Sequence, residues 1–246
     1  MSILKNGSSD GLSIVIPLFN EADNIEELFL QIHEFSQSVN FDFEIILVDG
    51  CSTDLTLEKI FYQNKKFDIP QLKILKMNTR EGYGYDIVAG LKTAAFHNLA
   101  WTHADLQTDL KDLVIGYKLL QSSTTQSLVK GNRKNRPLLD QFLTFGMQLF
   151  AFLQLRIYLS DINAQPKIFD KHFFTKYILI DYPHDFSLDL FLLLQAKKNS
   201  ISIQSFDVEF QKRKFGEAKG GGGSLKNRIH LIKRTFRYII DLKEKS

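Results

Sequence analysis

One cysteine in 246 residues, Cys51, is too few for an internal disulfide and points to a reducing compartment. Proline is scarce, with five residues, and there is only one tryptophan. Charge of one sign is also missing. Lys and Arg number 31 against 28 Asp and Glu, and the net charge of +3 is too weak to argue for nucleic acid. No RRM, KH or zinc-finger spacing is present, so a nucleic-acid partner is not expected. No apolar run reaches the roughly 18 residues of a membrane span. The nearest, residues 142–155 (FLTFGMQLFAFLQL), is broken by Gln148 and Gln154 and followed by Arg156, which suits a buried or interfacial helix. The first residues, MSILKNGSSDG, are polar and carry no apolar core of a secretory signal. The remaining composition, 44% hydrophobic and 24% charged, is that of an ordinary globular domain.

What is there is a repeated alternation of apolar runs and amphipathic stretches. LSIVIPL (12–18), FEIILV (43–48), LKILKM (72–77) and residues 99–102 read as strands. Between them, the Ile25, Leu28, Phe29, Ile32 periodicity, the Ser52–Asp54 start signal and the glycines before Ala95 read as helices. This β-α-β-α order predicts a mostly parallel sheet with helices on both faces. The second half is less regular. It predicts helices over 112–120, 138–159 and 185–197, and strands over 127–130, 165–169 and 201–211. Gly220–Gly223 is a natural hinge, dividing the chain into a body, 1–219, and a basic C-terminal segment, 220–246. There Leu225, Ile229, Ile232, Phe236 and Ile239 make a helical apolar stripe among Lys and Arg. The stripe suits packing on the body, contact with an anionic membrane surface, or a dimer contact.

Ligands of open parallel sheets bind beyond the carboxyl ends of the strands. Polar clusters follow strand ends at Phe19-Asn20-Glu21, at Asp49 with Ser52 and Asp54, and at His103-Ala104-Asp105-Leu106-Gln107. Glu21 and Asp49 are placed to accept hydrogen bonds from a base or ribose. Asp54 reads better as a helix cap. Asp105, with Gln107 two residues on, is placed to hold a cation, although His103 stands where a second carboxylate would be more obvious.

In this order, VIPLFNE, VDGCSTD, NTREGYGYDIVAGLKTA, HADLQ and RKFGEAK resemble the motifs of family 2 glycosyltransferases of the GT-A fold. The subgroup most resembled is the polyprenyl-phosphate sugar transferases, such as dolichol-phosphate mannose synthase. The resemblance covers about residues 12 to 219. It implies a three-layer α/β/α, Rossmann-like domain with a mixed, mostly parallel sheet. It also implies an inverting transferase that takes a sugar from a nucleotide-diphosphate sugar with the help of a divalent cation, Mn2+ or Mg2+. The acceptor it implies is a polyprenyl phosphate, met by a cytoplasmic protein that is peripheral on the membrane. The alternatives are a soluble or glycan acceptor, or a degenerate protein that binds the nucleotide-sugar without turnover.

Residue by residue, the resemblance places Pro17, Phe19, Glu21 and Asp49 around the base and ribose, and Arg80, Gly82 and Gly84 beside the nucleotide. Asp105 becomes the metal ligand with Gln107 its companion. Arg213 and Lys219 become a basic clasp over the diphosphate. Arg133 is assigned to the acceptor phosphate, and Asp161 to acceptor orientation or to a catalytic base. The chain departs from the family pattern at Gly50, at the segment Asp161–Phe169, at Ala218, which replaces a serine, and at His103, which replaces the first acid of Asp-X-Asp. His103 is left with two roles: an imidazole ligand that favours manganese over magnesium, or a partner of ribose or water while Asp105 alone holds the metal.

Overall fold

The computed structural model describes residues 10–135, 138–211, 233–234 and 236–240. Seven strands form one sheet in the order β3-β2-β1-β4-β6-β5-β7. They are β1 (Leu12–Leu18), β2 (Phe43–Asp49), β3 (Leu72–Lys76), β4 (Asn98–Trp101), β5 (Ser127–Lys134), β6 (Lys167–Asp170) and β7 (Ser202–Glu209). β1 to β4 pair in parallel, as the β-α-β-α order requires, and β5 pairs in parallel with β7. β6 is antiparallel to both its neighbours, β4 and β5. The carboxyl ends of the other described strands therefore share one edge with the amino end of β6.

Alternation along the strands divides the core between the two faces. Leu12, Ile14 and Ile16 of β1 join Ile45 and Leu47 of β2 on one face. They pack against α1 (Ile25–Ser38), Ile60 of α2 (Thr56–Phe67), and Leu113 and Tyr117 of α4 (Asp112–Gln121). Val15, Ile46, Val48 and Trp101 point the other way, against Ile87, Val88 and Leu91 of α3 (Tyr83–Lys92). That second face is completed by Ala151 of α5 (Leu138–Leu155) and by α7 (Leu188–Lys198). Each fully buried Phe, Leu or Ile contributes about 1.5–3 kcal/mol, so both helical layers contribute to holding the sheet that carries the site on its edge. The result is the three-layer α/β/α architecture expected, with a mixed, mostly parallel sheet.

Boundaries differ from the expected ones at identifiable places. β5 runs four residues beyond Lys130, because Gly131 to Lys134 continue the pairing with β7. α5 ends at Leu155, short of 159, where Arg156 takes a positive φ of 57°. A short turn α6 (Lys171–Phe173), capped by the Asp170 carboxylate accepting from Phe173 N–H, continues into a π-helical turn at Phe174–Ile178. No periodicity announced it. Within the expected C-terminal helix, residues 236–240 are helical and turn inward: Ile239 is buried and Phe236 stacks on Phe150 at 4.1 Å. Gly220–Gly223 and the rest of that stripe, Leu225, Ile229 and Ile232, lie outside the described residues.

Candidate active site

The loops after β1 and β2 are laced into one wall. Asn20 N–H donates to Ser52 Oγ at 2.9 Å, Thr53 N–H donates to Asn20 Oδ1 at 2.7 Å, and Glu21 N–H donates to Thr56 Oγ1 at 2.8 Å. Asp54 accepts from Thr56 N–H at 3.0 Å at the start of α2, so its role as a cap is observed. The Glu21 carboxylate accepts from Asn24 Nδ2, which commits at least one oxygen to the entry of α1. Beside this wall, at the exits of β2 and β3, is a cleft of about 390 Å³ lined by Asp49, Ser52, Asp54, Lys76, Met77 and Asn78, among others. Asp49 is buried at its floor, with Oδ1 accepting from Ser52 N–H at 3.3 Å.

Arg80 crosses from the other side of this wall. Its guanidinium lies 4.0 Å from the Phe19 ring centroid and its Nη1 donates to Asp86 Oδ2 at 2.7 Å. A Cβ at Gly50 would stand 2.3 Å from Asp86 Oδ2 and 2.9 Å from Arg80 Nη1. The absence of a second acid after Asp49 thus has a physical reason here, since the Asp86–Arg80 pair occupies the space it would need. Burial raises the Asp86 carboxyl to about 6; Arg80 opposes the rise and the Asp49 charge adds to it. Asp86 was not among the expected site residues. Its signal was a carboxylate beside Ile87 and Val88 on an otherwise inward-facing helix turn.

Gly82 and Gly84 serve a close approach, and the approaching group is the chain itself. Gly82 has φ of 128°, and a Cβ there would be 2.4 Å from the carbonyl oxygen of His184. Gly84 N–H donates to that same carbonyl at 2.8 Å. The 183–185 loop is thereby pinned against the amino end of α3, and Phe186 stacks on Tyr83 at 4.3 Å.

At the exit of β4, Asp105 Oδ1 accepts from Gln107 N–H at 3.2 Å, and Leu106 between them has φ of 59°. His103 Nδ1 lies 3.9 Å from Asp105 Oδ2, while its Nε2 is 2.8 Å from the Tyr83 hydroxyl. Gln107 is tied to the end of the described chain: its side-chain Nε2 donates to Gln211 O at 3.1 Å, and its backbone carbonyl accepts from Gln211 N–H at 2.9 Å. Among the described residues, no group of three or more His, Cys, Asp or Glu side chains is placed to hold a metal ion.

Arg133, at the end of β5, and Asp161 form a closed pair, with the backbone N–H and the guanidinium of Arg133 both donating to the carboxylate. Beneath them is a cluster the sequence did not reveal. Lys130 and Lys167 are buried, and Lys167 pairs with the buried Asp189 of α7. Lys130 Nζ donates to Gly131 O at 2.9 Å and Asp161 O at 3.3 Å. Burial, and then the Lys167 charge, bring the Lys130 ammonium down to about 8. Pro17 lies half-buried at the end of β1. Arg213 and Lys219 lie outside the described residues.

The model of the family described as Glycosyl transferase family 2 matches residues 13–150. The chain belongs to glycosyl transferase family 2. Among curated relatives, a dolichol-phosphate mannosyltransferase of Pyrococcus furiosus is 33% identical over 96 residues, covering 39% of this chain and 26% of the relative. A dodecaprenyl-phosphate galacturonate synthase of Rhizobium johnstonii is 27% identical over 233 residues, covering 94% of this chain and 65% of the relative. The chain thus spans between about a quarter and two thirds of the length of these relatives. In fold it resembles the glucosyl-3-phosphoglycerate synthase of Mycobacterium tuberculosis in complex with Mn2+, UDP and phosphoglyceric acid. That likeness has a TM-score of 0.74 at 14% identity, over 95% of this chain and 78% of that one. It also resembles a mannosyltransferase of Pyrobaculum calidifontis in complex with GDP-Man and Mn2+, with a TM-score of 0.66 at 19% identity over 94% and 64% of the two chains. Family and fold are those the motifs implied.

Proposed function

We propose that the chain is an inverting, cation-dependent glycosyltransferase that moves a sugar from a nucleotide-diphosphate sugar to a polyprenyl phosphate. The observation that carries this reading is the placement of Asp49, in a cleft at the exits of β2 and β3, and of Asp105, at the exit of β4, along one edge of a family 2 domain. The relatives named for dolichol-phosphate and dodecaprenyl-phosphate support the acceptor. The neighbours in complex with Mn2+ and UDP or GDP-Man support the donor and the cation.

The donor set fits a hard divalent cation. Asp105 offers a half-buried carboxylate with His103 beside it, and a cation that takes its other ligands from phosphate oxygens and water needs few protein groups. When bound, the cation supplies Lewis-acid stabilisation of charge on the departing diphosphate. The protein's share is placement. Asp49 accepts from the base, and the Phe19–Arg80 stack closes that side of the nucleotide. Arg133 and Asp161, already locked together, present a fixed edge that orients the acceptor; an acceptor phosphate that is already anionic requires little base strength from Asp161.

Arg213 and Lys219 are proposed as the clasp over the diphosphate. The Gln107–Gln211 bonds support this, because they hold the described chain that leads to Arg213 beside the Asp105 loop. A division into a 1–219 body and a C-terminal segment, 220–246, is proposed on the glycine run alone, with residues 236–240 of that segment packed on the body. A peripheral, cytoplasmic-face location is proposed with the acceptor. No helix among the described residues is long and apolar enough to cross a membrane. Phe145, Leu149, Phe152 and Leu153 of α5 are exposed and share a face, which supports contact with lipid more strongly than the inward-turned Phe236 and Ile239.

The experiment is incubation with UDP- and GDP-sugars labelled in the sugar, with Mn2+ or Mg2+ and a polyprenyl phosphate. Label passing into the organic phase is expected. Label passing instead to a soluble sugar or glycan acceptor added in a parallel incubation would favour the second reading, a soluble acceptor, and binding with neither transfer nor hydrolysis would contradict enzymatic function.

A further inference from the structure

Asp86 is 1% exposed on α3, next to the fully buried Ile87 and Val88. One of its oxygens, Oδ2, accepts from Arg80 Nη1 at 2.7 Å; the other, Oδ1, is buried with no hydrogen-bond partner. A carboxylate half satisfied in the core costs stability. Packed apolar side chains would serve a purely structural purpose as well or better. What the carboxylate does hold is Arg80, whose guanidinium is fixed between Asp86 and the Phe19 ring, 4.0 Å from its centroid. Residue 50 completes the arrangement. Its N–H donates to Leu18 O at 2.8 Å, beside the Phe19 loop, and it stands between Asp49 and Cys51, which both line the cleft.

Among the described glycines only Gly82 has a positive φ, so the backbone at Gly50 would accept a side chain. The obstacle is the Asp86 carboxylate, whose Oδ2 lies 2.3 Å from the Cβ position, with Arg80 Nη1 2.9 Å from the same point. Gly50 and Asp86 therefore divide one space at the side of the cleft. We propose that Asp86 is a positioning residue for the nucleotide: it holds the Arg80 guanidinium on the Phe19 ring beside the Asp49 cleft, and Gly50 is the room left for it. Fixing a long side chain before the ligand arrives removes an ordering cost from binding. This rests on the reading of that cleft as the nucleotide site.

The test is a double-mutant cycle read as calorimetric affinity for UDP and for GDP with Mn2+, at a pH well above the Asp86 value of about 6. Arg80→Ala is expected to weaken binding of the preferred nucleotide about 10-fold, the worth of one hydrogen bond made by a charged group. Asp86→Ala is expected to reproduce most of that loss, and to add nothing once Arg80 is already Ala. Its thermal transition without nucleotide should stay in place or rise, since a half-satisfied buried carboxylate is gone. If that variant fails to fold, Asp86→Asn, of the same shape, takes its place in the cycle. Gly50→Asp added to Asp86→Ala is expected to recover affinity, because a carboxylate then enters the same space from residue 50. Wild-type affinity in Asp86→Ala, losses that multiply in the double variant, or no recovery with Gly50→Asp would overturn the inference and leave the glycosyltransferase reading standing. Failure of the wild type to bind either nucleotide would overturn both.

Discussion

Arg133 holds Asp161 from two directions, with its backbone N–H 2.9 Å from Oδ2 and its Nε 3.0 Å from Oδ1. Both side chains are nearly buried, at 12% and 7% exposure, so removing one partner strands the charge of the other. Arg133→Ala is expected to cost about 3–5 kcal/mol, the usual penalty for breaking a buried pair. Denaturant unfolding of the variant measures it. A loss under about 1 kcal/mol, the range of exposed pairs, would show that water reaches the pair and that it does not form a fixed edge for the acceptor.

Asp86 makes a prediction with a definite sign. Its carboxyl titrates near 3.8 when unfolded and near 6 when folded, so between these values the folded protein binds more protons. Stability contributed by the neutral form is therefore lost as pH rises through that window. Asp86→Asn cannot ionise, and its melting temperature should gain on the wild type as pH moves from about 4 to about 6.5, the window set by the folded value near 6. A wild type that gains on the variant over the same range would mean that Arg80 outweighs burial.

Gly82 should tolerate no side chain. Its φ of 128° and the His184 carbonyl, 2.4 Å from where a Cβ would be, set strain and a backbone clash together. Gly82→Ala is expected to cost at least about 1–3 kcal/mol. It should also loosen the 183–185 loop, read as faster amide exchange at Gly84 and Tyr85, whose N–H groups donate to that carbonyl. Slow exchange retained at both would contradict the pinning role.

The parallel half of the sheet was legible because each strand is an apolar, β-branched run ended by a polar cluster, and Asp49 and Asp105 are those endings. The reversal of β6 was not, since KIFD reads the same in either direction. Lys130 and Lys167 were hidden for a related reason. A lysine in a short strand reads as a solvent-facing position, and only the packing of α7 brings Asp189 to Lys167. Gly82 and Gly84 were recognised as a site of close approach, yet the partner lies about a hundred residues away at His184, and no local pattern encodes it. His103 was visible as an anomaly. The partner of its ring, the Tyr83 hydroxyl, comes from α3, a separate element that no local pattern links to it.

Metal-dependent nucleotide binding by Asp105→Ala tests the central claim most directly. Asp105 lies on the loop after β4, outside the packed core, so its removal should leave the fold and its thermal transition intact. Calorimetric titration with UDP and with GDP, each with and without Mn2+, is the measurement. The expected result is a wild type that binds one nucleotide tightly only with Mn2+, and a variant in which that dependence on the cation is gone. Equal metal-dependent affinity in the two proteins would contradict the assignment of the cation to Asp105 and, with it, the proposed chemistry of the site.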